Sequence, residues 1–400
     1  MPQEGPLLIS PEALTARAIR ILERLVAFDT TSRLTNLALV SWVEAYLAEH
    51  GIASRRISDP SGEKANLLAS IGPEVAGGVV LSGHTDVVPV DGQPWSSDPF
   101  VVSDRGDGRL YGRGVCDMKG FLALALAIAP ELAARRLARP VHLAFSYDEE
   151  VGCLGAPDMI RVIQAETPRP ALVVVGEPTG MEAVSGHKGI ATYRVRVTGH
   201  EAHSSQTQLG VSAIMEAVGL MQELVELAGR LEARADPASP FMPKGATLTI
   251  GQVQGGTAVN ILARECVFDF DLRCPPGLSP DTVLSGFFAS AAHLDARLKS
   301  RFPEAGVGVE RRALTPPLAP EPAGEAEALV RGLTGDNGPS RAVAYAAEAG
   351  QFQEAGFSTV ICGPGYIDQA HQPDEWLEIS QMEKGAAFML RLADWCGRPL

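Results

Sequence analysis

Five acidic or imidazole positions carry the clearest chemistry in this chain: His84, Asp117, Glu150, Glu177 and His371. His84, Glu150 and Glu177 each follow directly on the carboxyl end of an apolar run that reads as a β-strand. Asp117 stands at the start of a helix, and His371 lies in the loop after a further strand. In open α/β sheets these strand ends form the crevice where ligands bind. Carboxylates gathered there repel one another unless they share protons or hold a cation. A mixed imidazole and carboxylate set suits zinc or a similar first-row divalent ion. With five ligands, one carboxylate can bridge two metals ~3.5–4 Å apart. Any one of these residues alone could be a helix cap, a solvated acid or a core histidine. What points to metal chemistry is the ordered set His84-x-Asp86, Asp117, Glu149-Glu150, Gly176-Glu177-Pro178 and Gln369-Ala370-His371, each at a strand or helix end.

The elements that must position these residues can be read from periodicity. A helix is predicted over Pro11 to Val26, and a second over Asn36 to His50 that stops at Gly51. Strands are predicted at Val79–Leu81, Val141–Tyr147 and Leu172–Val175, alternating with helices. Near-continuous apolar strands of this kind imply a parallel sheet covered on both faces. The pattern then changes. Ile190–Val197 alternates Tyr193, Val195 and Val197 with Arg194 and Arg196, as a half-buried antiparallel strand does. A helix (Ser212–Leu227), strands Thr247–Val253 and Cys266–Arg273, a helix (Pro280–Leu298) and a strand (Val307–Arg311) complete a β-α-β-β-α-β order, the ferredoxin-like split unit. After the Pro-rich run 315–320, α/β character resumes with strand Thr359–Cys362 and helix Ser380–Trp395. The expected fold is therefore an α/β catalytic domain, residues 1–184 and 317–400, with a mixed, largely parallel sheet covered by helices. It is interrupted by an inserted α+β domain, residues 185–316.

Composition narrows the class. The 400 residues exceed the ~250–300 that one core usually serves, in keeping with two domains. The 6 cysteines include no CxxC pair, and the N-terminal residues show no basic-then-apolar leader, so a reduced, cytoplasmic protein is expected. The net charge of −14 argues against nucleic acid or an anionic membrane as partner. There is no GxSxG elbow for a serine hydrolase. Cys116 and Cys153 flank the site without an adjacent His to activate them and read as packing residues.

Taken together, SGHTDVVPV (82–90), GRGVCDMKG (112–120), FSYDEEVG (145–152), VGEPT (175–179), AHSS (202–205), GGTAVN (255–260), DLR (271–273) and GPGYIDQAHQPDE (363–375) resemble the M20 metallopeptidase and deacylase family along essentially the whole chain. The resemblance implies hydrolysis of a small N-acyl amino acid with two divalent metals, zinc or alternatively cobalt. His84 and Glu177 would hold one ion and Glu150 and His371 the other, with Asp117 bridging. Glu149 would be the general base, and Asp86 would orient His84. The inserted domain would act as lid and dimerisation domain of a homodimer, lending His203 to the partner's oxyanion. Arg273 and Asn260 would contact substrate, Arg273 as a bidentate fork on its α-carboxylate, with the N–H groups of Gly363 and Gly365 serving the same carboxylate.

Glu348, in the run AAEAG (346–350), is expected to face a cationic substrate side chain. Two departures from the pattern of the family's deacetylases, Ala347 in place of Thr and Tyr366 in place of a smaller polar residue, would bear on substrate preference. A catalytically dead paralogue would have lost Glu149 or a ligand, and none is lost here.

Overall fold

The computed structural model describes residues 9–399; residues 1–8, read above for the lack of a leader, lie outside the described residues. The chain divides into two compact units. One comprises Met1–Gly186, Leu318–Arg341 and Ala347–Leu400, and the other His187–Pro317 with Ala342–Ala346. The short return segment Ala342–Ala346, assigned from sequence to the catalytic domain, thus clusters with the second unit.

The first unit is built on a six-stranded sheet in the spatial order Ser54–Ser58, Ala65–Ile71, Val141–Ser146, Val79–His84, Leu172–Val175, Ser358–Ile361. The last four run parallel, Ala65–Ile71 runs antiparallel to them, and Ser54–Ser58 runs antiparallel to Ala65–Ile71. Every residue of Val79–His84, Val141–Ser146 and Leu172–Val175 is buried, which is why these strands read as unbroken apolar runs. His84 pairs in register with Ser146, and Ser82 with Val175, so their carboxyl ends finish at one sheet edge.

The helices follow from their patterns. In Pro11–Val26, Leu14, Ala18, Ile21, Leu22 and Leu25 fall on one buried stripe. Pro11 sits at the first turn, and Ser10 Oγ accepts from Ala13 N at 3.2 Å. Truncating Leu22 to Ala would cost roughly 2–5 kcal/mol. Helix Gly120–Ala133 is apolar all round, Phe121 through Ala129 being buried without exception, as a central core helix must be.

The second unit has a four-stranded antiparallel sheet in the order Thr247–Gly255, Glu265–Cys274, Gly189–Thr198, Gly306–Thr315. Helices Ala213–Ala233 and Ser285–Arg301 join its strands in the β-α-β-β-α-β order. Alternate residues Ala191, Tyr193, Val195, Val197 and Cys266, Phe268, Phe270, Leu272 face its core. Tyr193 and Phe270, directly paired across the strands, stack at 5.1 Å between ring centroids.

Candidate metal centre

The sheet edge of the first unit brings the five predicted residues together. His84 ends its strand, and beyond its register partner Ser146 the chain turns through Asp148, at φ 55°, to present Glu149 and Glu150. Asp86 organises this turn. Its Oδ1 accepts from Glu149 N at 3.1 Å and its Oδ2 from Glu150 N at 3.3 Å, while Ser32 Oγ donates to Oδ2 at 2.6 Å. Asp86 also meets His84, more closely through its main chain than through its carboxylate. His84 Nδ1 lies 2.9 Å from the Asp86 backbone carbonyl and 3.6 Å from its carboxylate. A carbonyl only accepts, so Nδ1 carries the proton and Nε2 is left as the ligating nitrogen.

His84 Nε2 stands 3.0 Å from Asp117 Oδ1 and 3.8 Å from Glu177 Oε1. His371 Nε2 stands 3.2 Å from Asp117 Oδ2 and 3.1 Å from Glu150 Oε2. Asp117 therefore offers one oxygen to each side, the placement a bridging carboxylate requires. Ligand atoms of His84, Glu149 and Glu177, and of His84, Asp117 and Glu150, lie within 4.8 Å of one another. Glu177 Oε1 is buried with no hydrogen-bond donor among the described residues. An orphaned buried carboxylate oxygen is costly unless a cation meets it. The donor set, all N and O, fits a pair of zinc-like ions.

The electrostatics match. Burial, reinforced by neighbouring carboxylates, pushes Glu149 up to about 8 and Glu150 to about 7, and lifts Glu177 well above the carboxylate range. Burial works against ionised Asp117 too, yet hydrogen bonds from His371 and His84 hold it below the usual range. The hydrogen bond to Asp117, followed by that to Glu150, raises His371 to about 11. Protons and divalent ions thus compete for the same nitrogens and oxygens.

Asp117 is set from behind. It lies in the tight turn Val115–Lys119 with φ −120°, outside helical geometry. Glu375 gathers this turn by accepting from Gly114 N at 2.9 Å, Cys116 N at 2.9 Å and Asp117 N at 3.1 Å. Arg113 Nη1 pairs with Glu375 Oε2 at 2.7 Å, both side chains being 1% exposed. Neither residue was singled out from sequence. The available signal was a charged pair inside two motif segments, GRGVCDMKG and QAHQPDE, neither of which needs it for ligation.

Three further expectations are corrected. Gly363 N donates to Thr179 Oγ1 at 3.2 Å and Gly365 N to Gln381 Oε1 at 3.3 Å, so neither N–H is left to bind a substrate carboxylate. Gly363 is glycine because a Cβ there would fall 1.9 Å from Gly176 O, where the Glu177 loop and the 363–365 loop touch. Glu348 does not line an open cleft: it is 1% exposed, and its two oxygens accept from Ser82 Oγ at 2.5 Å and Ser146 Oγ at 2.8 Å. Of the departures, Ala347 is fully buried, and the Tyr366 ring lies over Gly180, whose missing side chain makes room for it. Cys153 Sγ donates to Glu149 Oε1 at 3.2 Å. Burial raises the Cys116 thiol well above its ordinary value, which leaves it inert.

In the second unit, His203 and Asn260 lie on adjoining loop segments, with a bridge between His203 and Ile261 and Ser204 N donating to Asn260 O at 3.0 Å. His203 Nδ1 accepts from Ser205 N at 3.1 Å, which leaves Nε2 as the nitrogen able to donate. Arg273 Nε donates to Asp271 at 3.0 Å, and the residue borders a depression of about 390 Å³ with Thr192, Thr247 and Thr249.

A strand-end set of two imidazoles and four carboxylates on a mixed α/β sheet is the architecture of a metallohydrolase. Residues 80–395 match Peptidase family M20/M25/M40, and the chain belongs to that family. It is 33% identical over 389 residues to the acetylornithine deacetylase of Myxococcus xanthus, covering 94% of this chain and 97% of that protein. It is 34% identical over 387 residues to the acetylornithine deacetylase of Pasteurella multocida, covering 94% and 96%. Among solved structures, an M20 family metallo-carboxypeptidase from Sulfolobus solfataricus superposes with a TM-score of 0.73 at 17% identity, covering 94% of this chain and 98% of that one. A dinuclear metal-binding M20 peptidase from Bacillus subtilis gives 0.62 at 15%, covering 97% and 100%. No helix among the described residues is long and apolar enough to cross a membrane.

Proposed function

We propose that this M20 hydrolase removes the acetyl group from N-acetyl-L-ornithine, giving L-ornithine and acetate, a step of arginine biosynthesis. The observation that supports this most is the clustered His84, Asp117, Glu150, Glu177 and His371 with its donorless Glu177 oxygen, on a chain a third identical over nearly its full length to acetylornithine deacetylases.

His84 and Glu177 would hold one divalent ion and Glu150 and His371 the other, with Asp117 placed to serve both. Bound ions supply Lewis acidity and bring the pKa of water at the site towards ~7. Glu149, beside the ligands but anchored by its own N–H to Asp86, takes a proton from the attacking water. It returns that proton to the nitrogen of ornithine as the C–N bond breaks. His203 Nε2–H donates to the developing oxyanion. Arg273, held through Nε by Asp271, turns its Nη pair to the α-carboxylate, beside Asn260.

A homodimer would carry His203 to a partner's site. Exposed Met215, Val218 and Val225 along helix Ala213–Ala233, which packs on the open edge strand Thr247–Gly255 with its exposed Val253, support such an interface. The test is acetate release from Nα-acetyl-L-ornithine by zinc-loaded protein beside a chelated sample. Turnover that chelation abolishes is expected. Turnover only on other N-acyl amino acids or dipeptides would replace the substrate while keeping the family chemistry.

A further inference from the structure

His371 is the least supported of the five site residues. Its side chain is 51% exposed, its backbone holds φ at 61°, and its Nδ1 makes no hydrogen bond among the described residues. A ligating imidazole is ordinarily steered by a partner on its second nitrogen. Here the steering has to come through the main chain, and one side chain reaches it: Gln93 Nε2 donates to the His371 carbonyl at 3.1 Å.

Gln93 is itself fixed. Its Oε1 accepts from Arg113 Nη2 at 2.6 Å and from Trp95 Nε1 at 2.9 Å. Arg113 passes through Glu375 to the Asp117 N–H. An unbroken hydrogen-bonded chain thus runs from the main chain of Asp117, through Glu375, Arg113 and Gln93, to the main chain of His371. Three residues on, Asp374 accepts from Ser96 N at 3.1 Å, clamping the same two loops a second time.

We infer that Gln93 is a positioning residue that sets the reach of His371, and so governs occupancy of the Glu150–His371 metal position without governing the His84–Glu177 position. The inference rests on the two-metal reading. Each end of the Gln93 amide has one job. The oxygen receives Arg113 and Trp95, and the nitrogen holds His371. Gln93→Glu keeps the first and destroys the second, because a carboxylate cannot donate to a carbonyl. Gln93→Leu destroys both.

The experiment is calorimetric titration of zinc into chelated full-length protein, for the wild type and both variants, with cobalt absorption spectra as a second readout. The thermal midpoint of each metal-free protein serves as the fold control. The wild type takes up two ions. In Gln93→Glu the first ion binds within about two-fold of the wild type and the second is weakened roughly 10–100-fold, the usual effect of losing a partner that orients a ligand; Gln93→Leu, which also releases Arg113, weakens the second ion at least as much. The cobalt spectrum of the second site changes in step. Wild-type affinity for both ions in Gln93→Glu overturns the inference, as does equal weakening of both. A wild type that binds fewer than two ions overturns the two-metal reading itself, a result visible before any variant is compared.

Discussion

Asp86 accepts the backbone N–H of Glu149 at 3.1 Å, so the proposed base is located by its main chain, while Cys153 Sγ donates to one of its side-chain oxygens at 3.2 Å. The same carboxylate takes Glu150 N and Ser32 Oγ. Asp86→Asn replaces one accepting oxygen with a donor that faces an N–H. Turnover is expected to fall roughly 10–100-fold, as for other partners that orient ligands, with the His84 tautomer preserved through its carbonyl contact. Steady-state kinetics with metal content measured alongside would check this; loss of metal without loss of rate per bound metal would contradict it.

Glu149→Gln keeps the Asp86 contact and removes the proton acceptor. The rate is expected to drop by about 10²–10⁴ while two ions remain bound. A variant within a few-fold of wild type would move the base elsewhere.

Glu348→Gln tests the buried carboxylate. Burial raises its pKa above the unfolded value, against the hydrogen bonds of Ser82 and Ser146. Below the unfolded pKa of about 4.3 both states are protonated and nothing is lost. Above it the unfolded chain ionises first, and the wild type is destabilised increasingly as pH rises towards the folded pKa. Gln carries no such penalty, so the variant gains on the wild type in urea midpoint as pH rises above about 4.3. Preference for acetylornithine over acetylnorvaline should stay unchanged; a collapse of that preference would restore a substrate role for Glu348.

His142 gives an acid limb independent of the metal centre. It sits on the amino end of its strand, with Nδ1 2.8 Å from Ser70 Oγ and Nε2 buried without a hydrogen-bond partner among the described residues. Burial lowers its pKa from 6.5 to about 4. A depressed histidine contributes stability that is complete above the unfolded pKa and is lost as pH falls through the window down to about 4. The full loss would be about 3 kcal/mol at 1.36 kcal/mol per pKa unit. Chemical denaturation of His142→Leu should show a flatter limb across that window than the wild type.

The dimer proposal predicts complementation. Co-expressed His203→Ala and Glu149→Gln chains, each nearly inactive alone, should recover about a quarter of wild-type activity if sites are shared across a two-fold interface. No recovery in purified mixed dimers would confine His203 to its own subunit.

Strand periodicity made the sheet edge legible, because fully buried strands leave unbroken apolar runs such as Val79–Leu81 and Leu172–Val175. His84, Glu150 and Glu177 followed, since each stands at the end of such a run, whereas Asp117 was read from a helix start and His371 from a loop. The edge strand Ser54–Ser58 and its neighbour Ala65–Ile71 were not foreseen: Ser54–Ser58, with two arginines, has no buried residue to mark it. Nor were the roles of Asp86, Glu375 and Gln93, which act on backbone N–H and C=O groups across long sequence separations. No spacing rule encodes such contacts. Glu348 misled for a related reason, since nothing local shows that Ser82 and Ser146 already satisfy it.

The order of the ligands along the chain has a consequence for how the protein matures. A chain growing from its N-terminus carries His84, Asp117, Glu150 and Glu177 early, yet reaches His371 and Glu375 only after the whole second unit has been made. Until then the Asp117 turn lacks the carboxylate that gathers it, and Glu150 lacks its imidazole neighbour. If the centre holds a metal pair as proposed, a nascent chain presents only the His84–Glu177 half of it, and the Glu150–His371 half is completed once both units have been made.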